Sequence, residues 1–226
     1  MMKRIRLLLI LIIIYLVQTG CFLKSVHPLV DEENAILVEG LEGIWETEDQ
    51  RWTFVNDITR FPNLAEYMGQ GIDIESEDEE DLGLGKVYLI FFENLQDLSA
   101  DTSIFMGMVT ELNGAYFLDL SVFAKSIAEL DESESSFVDN HFFPVHTFSK
   151  ITLEEGQLDI ELFQSSFISD LISSNRIRIK HEDTDDSILI TASTSELRKF
   201  VEKYAHDEEA YEDAMEFNFK GYEYVQ

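Results

Sequence analysis

Residues 107 to 120 read Gly-Met-Val-Thr-Glu-Leu-Asn-Gly-Ala-Tyr-Phe-Leu-Asp-Leu. Asn113-Gly114 lies between two apolar runs, and both central positions of a type I′ turn need positive φ, so these fourteen residues predict a tight antiparallel hairpin. The turn sets the register. Leu112 falls opposite Ala115, Thr110 opposite Phe117 and Met108 opposite Asp119 on one face. Glu111 meets Tyr116, Val109 meets Leu118 and Gly107 meets Leu120 on the other. Both faces are largely apolar, which places this ribbon in the middle of a sheet covered on two sides.

The pattern repeats downstream. Glu154-Glu155-Gly156-Gln157 forms a second loop that sets Leu153 against Leu158 and Ile151 against Ile160. The alternate face then pairs Lys150 with Glu161 and Thr152 with Asp159, so opposite charges and apolar groups each find their own kind of partner. A third pairing aligns Ile179 with Ile188 and Ile177 with Ile190, with 181–186 as its loop. Upstream, Arg51 to Val55 and Lys86 to Phe92 have the β-branched and aromatic content of strands. Helices are few and short. Ser193 with Glu196 makes a capping box, and Leu197, Phe200, Val201 and Tyr204 continue it as one apolar stripe. Phe167, Ile168, Leu171 and Ile172 mark a second helix ending near Asn175, and Phe123 to Leu130 a third. The expected fold is therefore β-rich α+β: a curved antiparallel sheet or partial barrel with two or three short helices.

Composition bounds the partners. The 226 residues carry 16 basic and 45 acidic side chains, a net charge of −29, yet 17 phenylalanines and 8 tyrosines argue for a folded core. Such a chain offers no basic surface to a nucleic acid. Arg176, Arg178 and Lys180 are the exception among scattered bases, and they alternate as the solvent face of one strand would. A ligand approaching this field would be neutral, apolar or cationic, and an envelope protein is the alternative partner.

The N-terminus gives an address. Lys3, Arg4 and Arg6 precede an apolar run, Leu7 to Val17, that would span only about 16 Å as a helix. That is too short to cross a bilayer and has the form of a cleaved export signal. Gly20-Cys21 follows, at the only cysteine of the chain. This segment resembles the lipobox of bacterial lipoproteins, with Gln18 standing where that family usually has an aliphatic residue. The resemblance implies cleavage of 1–20, lipidation of Cys21 and attachment to the cell-envelope membrane, the outer membrane if the source is Gram-negative, since Phe22 replaces the aspartate of inner-membrane retention. A lone thiol in an exported chain fits the same expectation. Loss of Lys3, Arg4 and Arg6 would leave 13 basic residues and a net charge of −32. Residues 21–40, broken at His27-Pro28, are expected as a lipidated tether, and 41–226 as one globular domain.

Within that domain Gly43-Ile44-Trp45 resembles the G-x-W signature of lipocalins and related calycin barrels, which implies a barrel whose base the tryptophan closes; a generic core tryptophan is the alternative. Pro28-Leu29, Leu41-x-Gly43-x-Trp45 and Phe117-Leu118-Asp119-Leu120 together resemble a group of uncharacterised bacterial lipoproteins, which implies no activity. Asp119 stands out, framed by leucines on the face of Met108 and Phe117. These three are the candidate ligand-binding residues, with Asp119 either a functional carboxylate or one bonded to nearby backbone. His146, on the face of Lys150, is expected in solvent, and His141, His146 and His181 lack metal-ligand spacing. The acidic run Glu75 to Asp81 is expected as a solvated loop. No nucleophile elbow, P-loop or dinucleotide fingerprint occurs, and no metal or cofactor is expected. The leading expectation is a lipid-anchored binding or accessory protein of the envelope. An enzyme built on Asp119 and a purely structural envelope protein are the alternatives.

Overall fold

A computed structural model describes residues 23–61, 84–97, 102–123, 144–184 and 188–223. Cys21, the leader, the acidic run, His141 and most of the helix expected at Phe123 to Leu130 lie outside the described residues.

Eight strands form an up-and-down meander: β2 (Gly43–Glu46), β3 (Gln50–Val55), β4 (Tyr88–Asn94), β5 (Ser103–Leu112), β6 (Ala115–Val122), β7 (His146–Glu154), β8 (Gln157–Leu162) and β11 (Met215–Gly221). Each pairs antiparallel with the next, and β11 returns to pair with β2. The sheet is thereby closed into an eight-stranded, calycin-like barrel with no free edge. Both hairpins have the register that their sequences predict, Met108 opposite Asp119 and Ile151 opposite Ile160 included. Asn113 (φ 52°) and Gly114 (φ 77°) take the positive values that the first turn demands.

The long excursion between β8 and β11 carries α1 (Ser165–Ser173), β9 (His181–Asp183), β10 (Ile188–Ile190) and α2 (Thr194–Tyr204). At the start of α2 the Ser193 amide and hydroxyl both donate to Glu196 Oε2, at 3.0 and 2.8 Å. A two-residue strand, β1 (Lys24–Ser25), bridges this excursion to the barrel, pairing antiparallel with the first two residues of β7 and parallel with β10.

Two of the expectations are corrected here. The pairing of β9 with β10 sets His181 opposite Ile190 and Asp183 opposite Ile188, four residues away from the isoleucine alignment. An even slip leaves every side chain on its own face, so alternation alone does not select the register. The adopted one leaves Ile177 and Ile179 to pack against the core cluster under the helices. The second correction concerns residues 22–40, which from Leu23 onward are no tether. Leu23, Leu29, Val30 and Ala35 are buried, and Ile36 donates its amide to Val109 O at 2.8 Å. These apolar residues follow no strand or helix period, and it is their fit against the barrel wall that orders them.

Side-chain alternation divides the core into three clusters, one inside the barrel and two on its outer wall. Trp45, Phe54, Tyr88, Ile90, Val109, Leu118, Ile160 and Phe217 point into the barrel and fill it. Phe117, Phe148 and Phe163 point outward and are covered by α1, α2 and the N-terminal segment. On the far wall Ile44, Val55, Leu89 and Phe91 pack under Ile58 and Phe61.

Candidate functional site

The three residues singled out by sequence share one face, as expected, but it is the outer one. Phe117 is fully buried against Phe163, their rings stacked 6.3 Å apart. Met108 is half-buried against the same cluster. A cup lined by Asp119, Phe117 and Met108 is therefore not what the barrel encloses. The ribbon is apolar on both faces, so the sequence pattern carries no signal for which face turns inward.

Asp119 is 3 % exposed and its carboxylate is fully engaged. Oδ2 accepts the amides of Leu29 at 2.6 Å and Val30 at 3.0 Å, and Oδ1 lies 2.9 Å from His146 Nδ1. His146 sits on β7 diagonally across from Asp119, because Asp119 pairs with Phe148 and Ser121 with His146. The histidine is thus drawn out of solvent, its side chain 18 % exposed, where sequence reasoning left it in water. The signal for this contact would have been the β6 to β7 register, which is hidden by the long connection between those strands.

Two more side chains grip the same segment. Thr110 Oγ1 donates to Asn34 O at 3.0 Å, and Thr194 Oγ1, at the head of α2, donates to Pro28 O at 2.7 Å. The arrangement is a clamp. One carboxylate satisfies two successive buried amides that would otherwise cost about 1–3 kcal/mol each, and two hydroxyls do the same for carbonyls. Asp119 is accordingly a backbone-bonded carboxylate, with Oδ2 on two amides and Oδ1 on His146.

The barrel interior offers a different surface. At the closed end Trp45 Nε1 donates to Leu41 O at 2.8 Å, and Tyr88 Oη accepts the Val38 amide at 2.9 Å, so residues 38–41 cap the base. Gly43 makes this possible. Its φ is 142°, and a Cβ there would run into the ring of Phe219, which packs edge-on against Trp45 at 5.1 Å. At the other end the inward-facing residues Trp52, Phe92, Phe105, Leu120, Leu162 and Met215 are all half-buried. They come from six strands and form an apolar mouth. One layer deeper, between Leu118 and Leu162, the Ser149 hydroxyl is buried with no hydrogen-bond partner among the described residues. A barrel of this size either fills with side chains or holds one small ligand; here the lower layers are filled, and at the mouth Trp52 packs edge-on against Phe92 and Phe217, each 5.8 Å away.

A shallow groove of about 560 Å³ runs between α1 and β9, lined by Ser165, Ser169, Ser173, His181 and Asp183. His181 Nδ1 donates to Ile179 O at 2.8 Å, and among the described residues no group of histidines and carboxylates is arranged to hold a metal. No described helix is long and apolar enough to cross a membrane.

Comparison of the chain with family models, with curated proteins and with solved structures returns no match.

Proposed function

We propose that the protein is a lipid-anchored binding module of the cell envelope, held to the membrane through Cys21 and taking a small apolar molecule, neutral or cationic, at the mouth of its barrel. The observation that carries the binding part is the half-buried ring of Trp52, Phe92, Phe105, Leu120, Leu162 and Met215 above a filled core. Apolar walls with few convergent polar groups are the usual make-up of small-molecule sites, and the Ser149 hydroxyl, without a partner among the described residues, is buried one layer below the mouth. Strand β1, which begins three residues after Cys21, is hydrogen-bonded at the end of β7 that also supplies Thr147 to the mouth.

Two measurements test this. Cys21→Ser protein should move from the membrane to the soluble fraction, or remain uncleaved, and lose incorporation of labelled fatty acid; membrane recovery at the wild-type level after leader cleavage would defeat the anchor. Titration with a neutral apolar fluorophore should quench Trp52 and saturate, with the response lost in Phe105→Asp. Unchanged emission in the intact chain would defeat the binding site. An enzyme centred on Asp119 is not carried forward, since Oδ2 is committed to the Leu29 and Val30 amides and Oδ1 to His146.

A further inference from the structure

Tertiary structure brings Lys24 to the three bases, Arg176, Arg178 and Lys180, that the sequence sets together. Lys24 on β1 is exposed while its neighbour Ser25 is buried, so Lys24 lies on the outer face of the small sheet formed by β1, β10 and β9. On that face Lys24 pairs with Leu189, and Leu189 with Glu182. One rung further the Thr191 amide donates to Lys180 O at 2.9 Å, which brings Lys180 onto the same face. From there the chain alternates backward: Ile179 and Ile177 are half-buried against the core, and Lys180, Arg178 and Arg176 are exposed. Among the described residues none of these four bases makes an ion pair. Glu182 lies on the same face, and the Glu196 carboxyl feels the charge of Lys180.

This patch is anomalous in a chain of net charge −29, and its place matters. The fold begins at the buried Leu23, and two residues of extended chain reach about 7 Å at most. A lipid on Cys21 would leave no slack, and the face that starts with Lys24 would be held at the headgroup layer. Bases at that layer strengthen attachment to anionic lipid within a Debye length of the surface. The acidic remainder would be repelled, so the opposing charges orient the molecule and do not detach it.

We infer that the face carrying Lys24, Arg176, Arg178 and Lys180 docks on the anionic headgroups of the membrane that holds the Cys21 lipid. The inference rests on the proposed anchor, and its test separates the two. Open membrane fragments bearing the full mature protein are treated with a charged amine-acylating reagent, and each lysine is read by mass spectrometry against the same protein in detergent. Lys24 and Lys180 should label about fivefold less in membranes, with Lys86 and Lys220 unchanged. Equal labelling of all four lysines overturns the docking face and leaves the anchor standing; recovery of the protein in the soluble fraction overturns both. The purified lipidated protein is then placed in phosphatidylcholine vesicles with and without phosphatidylglycerol. Protection confined to the anionic vesicles supports the inference. Protection in native membranes but in neither vesicle assigns the face to an acidic protein and overturns the lipid as its occupant.

Discussion

The Asp119 carboxylate lies directly beneath Leu29, accepting its amide at 2.6 Å across ninety residues of sequence. Through this bond and its twin to Val30, the segment that leads in from Cys21 becomes part of the barrel wall. The consequence is mechanical: whatever pulls on the N-terminus pulls on the β5–β6–β7 region and on α2 together.

Asp119→Ala should cost about 3 kcal/mol, because it orphans two buried amides and removes the partner of His146 at once. Denaturant unfolding measures the loss. Hydrogen exchange should show Leu29 and Val30 opening ahead of the barrel strands in the variant; an unaltered exchange rate there would mean that packing alone holds the segment.

Gly43→Ala is expected to destabilise by roughly 2 kcal/mol, since the methyl group meets the Phe219 ring and the residue is forced to φ 142°. Gly156→Ala is the control. It has φ 78° with nothing within 4 Å of an added Cβ, so only backbone strain of about 1 kcal/mol applies. Equal midpoints for the two variants would contradict the closed base described for the barrel.

Removal of the Ser193 cap by alanine substitution should lower stability by about 1 kcal/mol and fray the first turn of α2. Loss of the hydroxyl bond would also raise the Glu196 carboxyl, which that bond and the retained Ser193 amide hold below its usual range. The carboxyl chemical shift of Glu196 should then titrate at higher pH in the variant than in the wild type.

Alkaline pH should unfold the protein through two tyrosines. Burial raises the Tyr88 phenol above its ordinary value, and it raises Tyr211 further, with Glu161 and Asp207 adding to the effect. A folded-state value above the unfolded one means that the stabilisation is complete below about pH 10 and is lost as pH rises beyond it. Absorbance at the phenolate band should therefore rise together with the unfolding signal; Tyr211→Phe, which removes hydrogen bonds to Tyr204 O and Ala205 O, should shift that transition. Phenolate appearing at pH 10 with the fold intact would contradict the burial of both rings.

Several features were legible in the residues themselves. Asn113-Gly114 and Glu155-Gly156 impose turns by backbone chemistry alone, and with them two complete hairpin registers. Ser193 and Glu196 start α2 by a bond between neighbours in the chain. Local interactions determine these, and a sequence displays local interactions directly. Closure of β11 onto β2, the choice of which apolar face turns inward, the β9 to β10 register and the approach of His146 and Leu29 to Asp119 are of another kind. Each depends on how distant segments bury their surfaces against one another, and a ribbon apolar on both sides, an even register slip or an aperiodic stretch such as 23–35 is neutral until those surfaces meet. The sequence by itself determined the two hairpins with their turns, the start of α2 and the acidic character of the chain. Only the tertiary structure decided that Asp119 is a clamp on the barrel's outer wall and that Lys24 joins Arg176, Arg178 and Lys180, because burial and pairing between remote segments are properties of the packed chain.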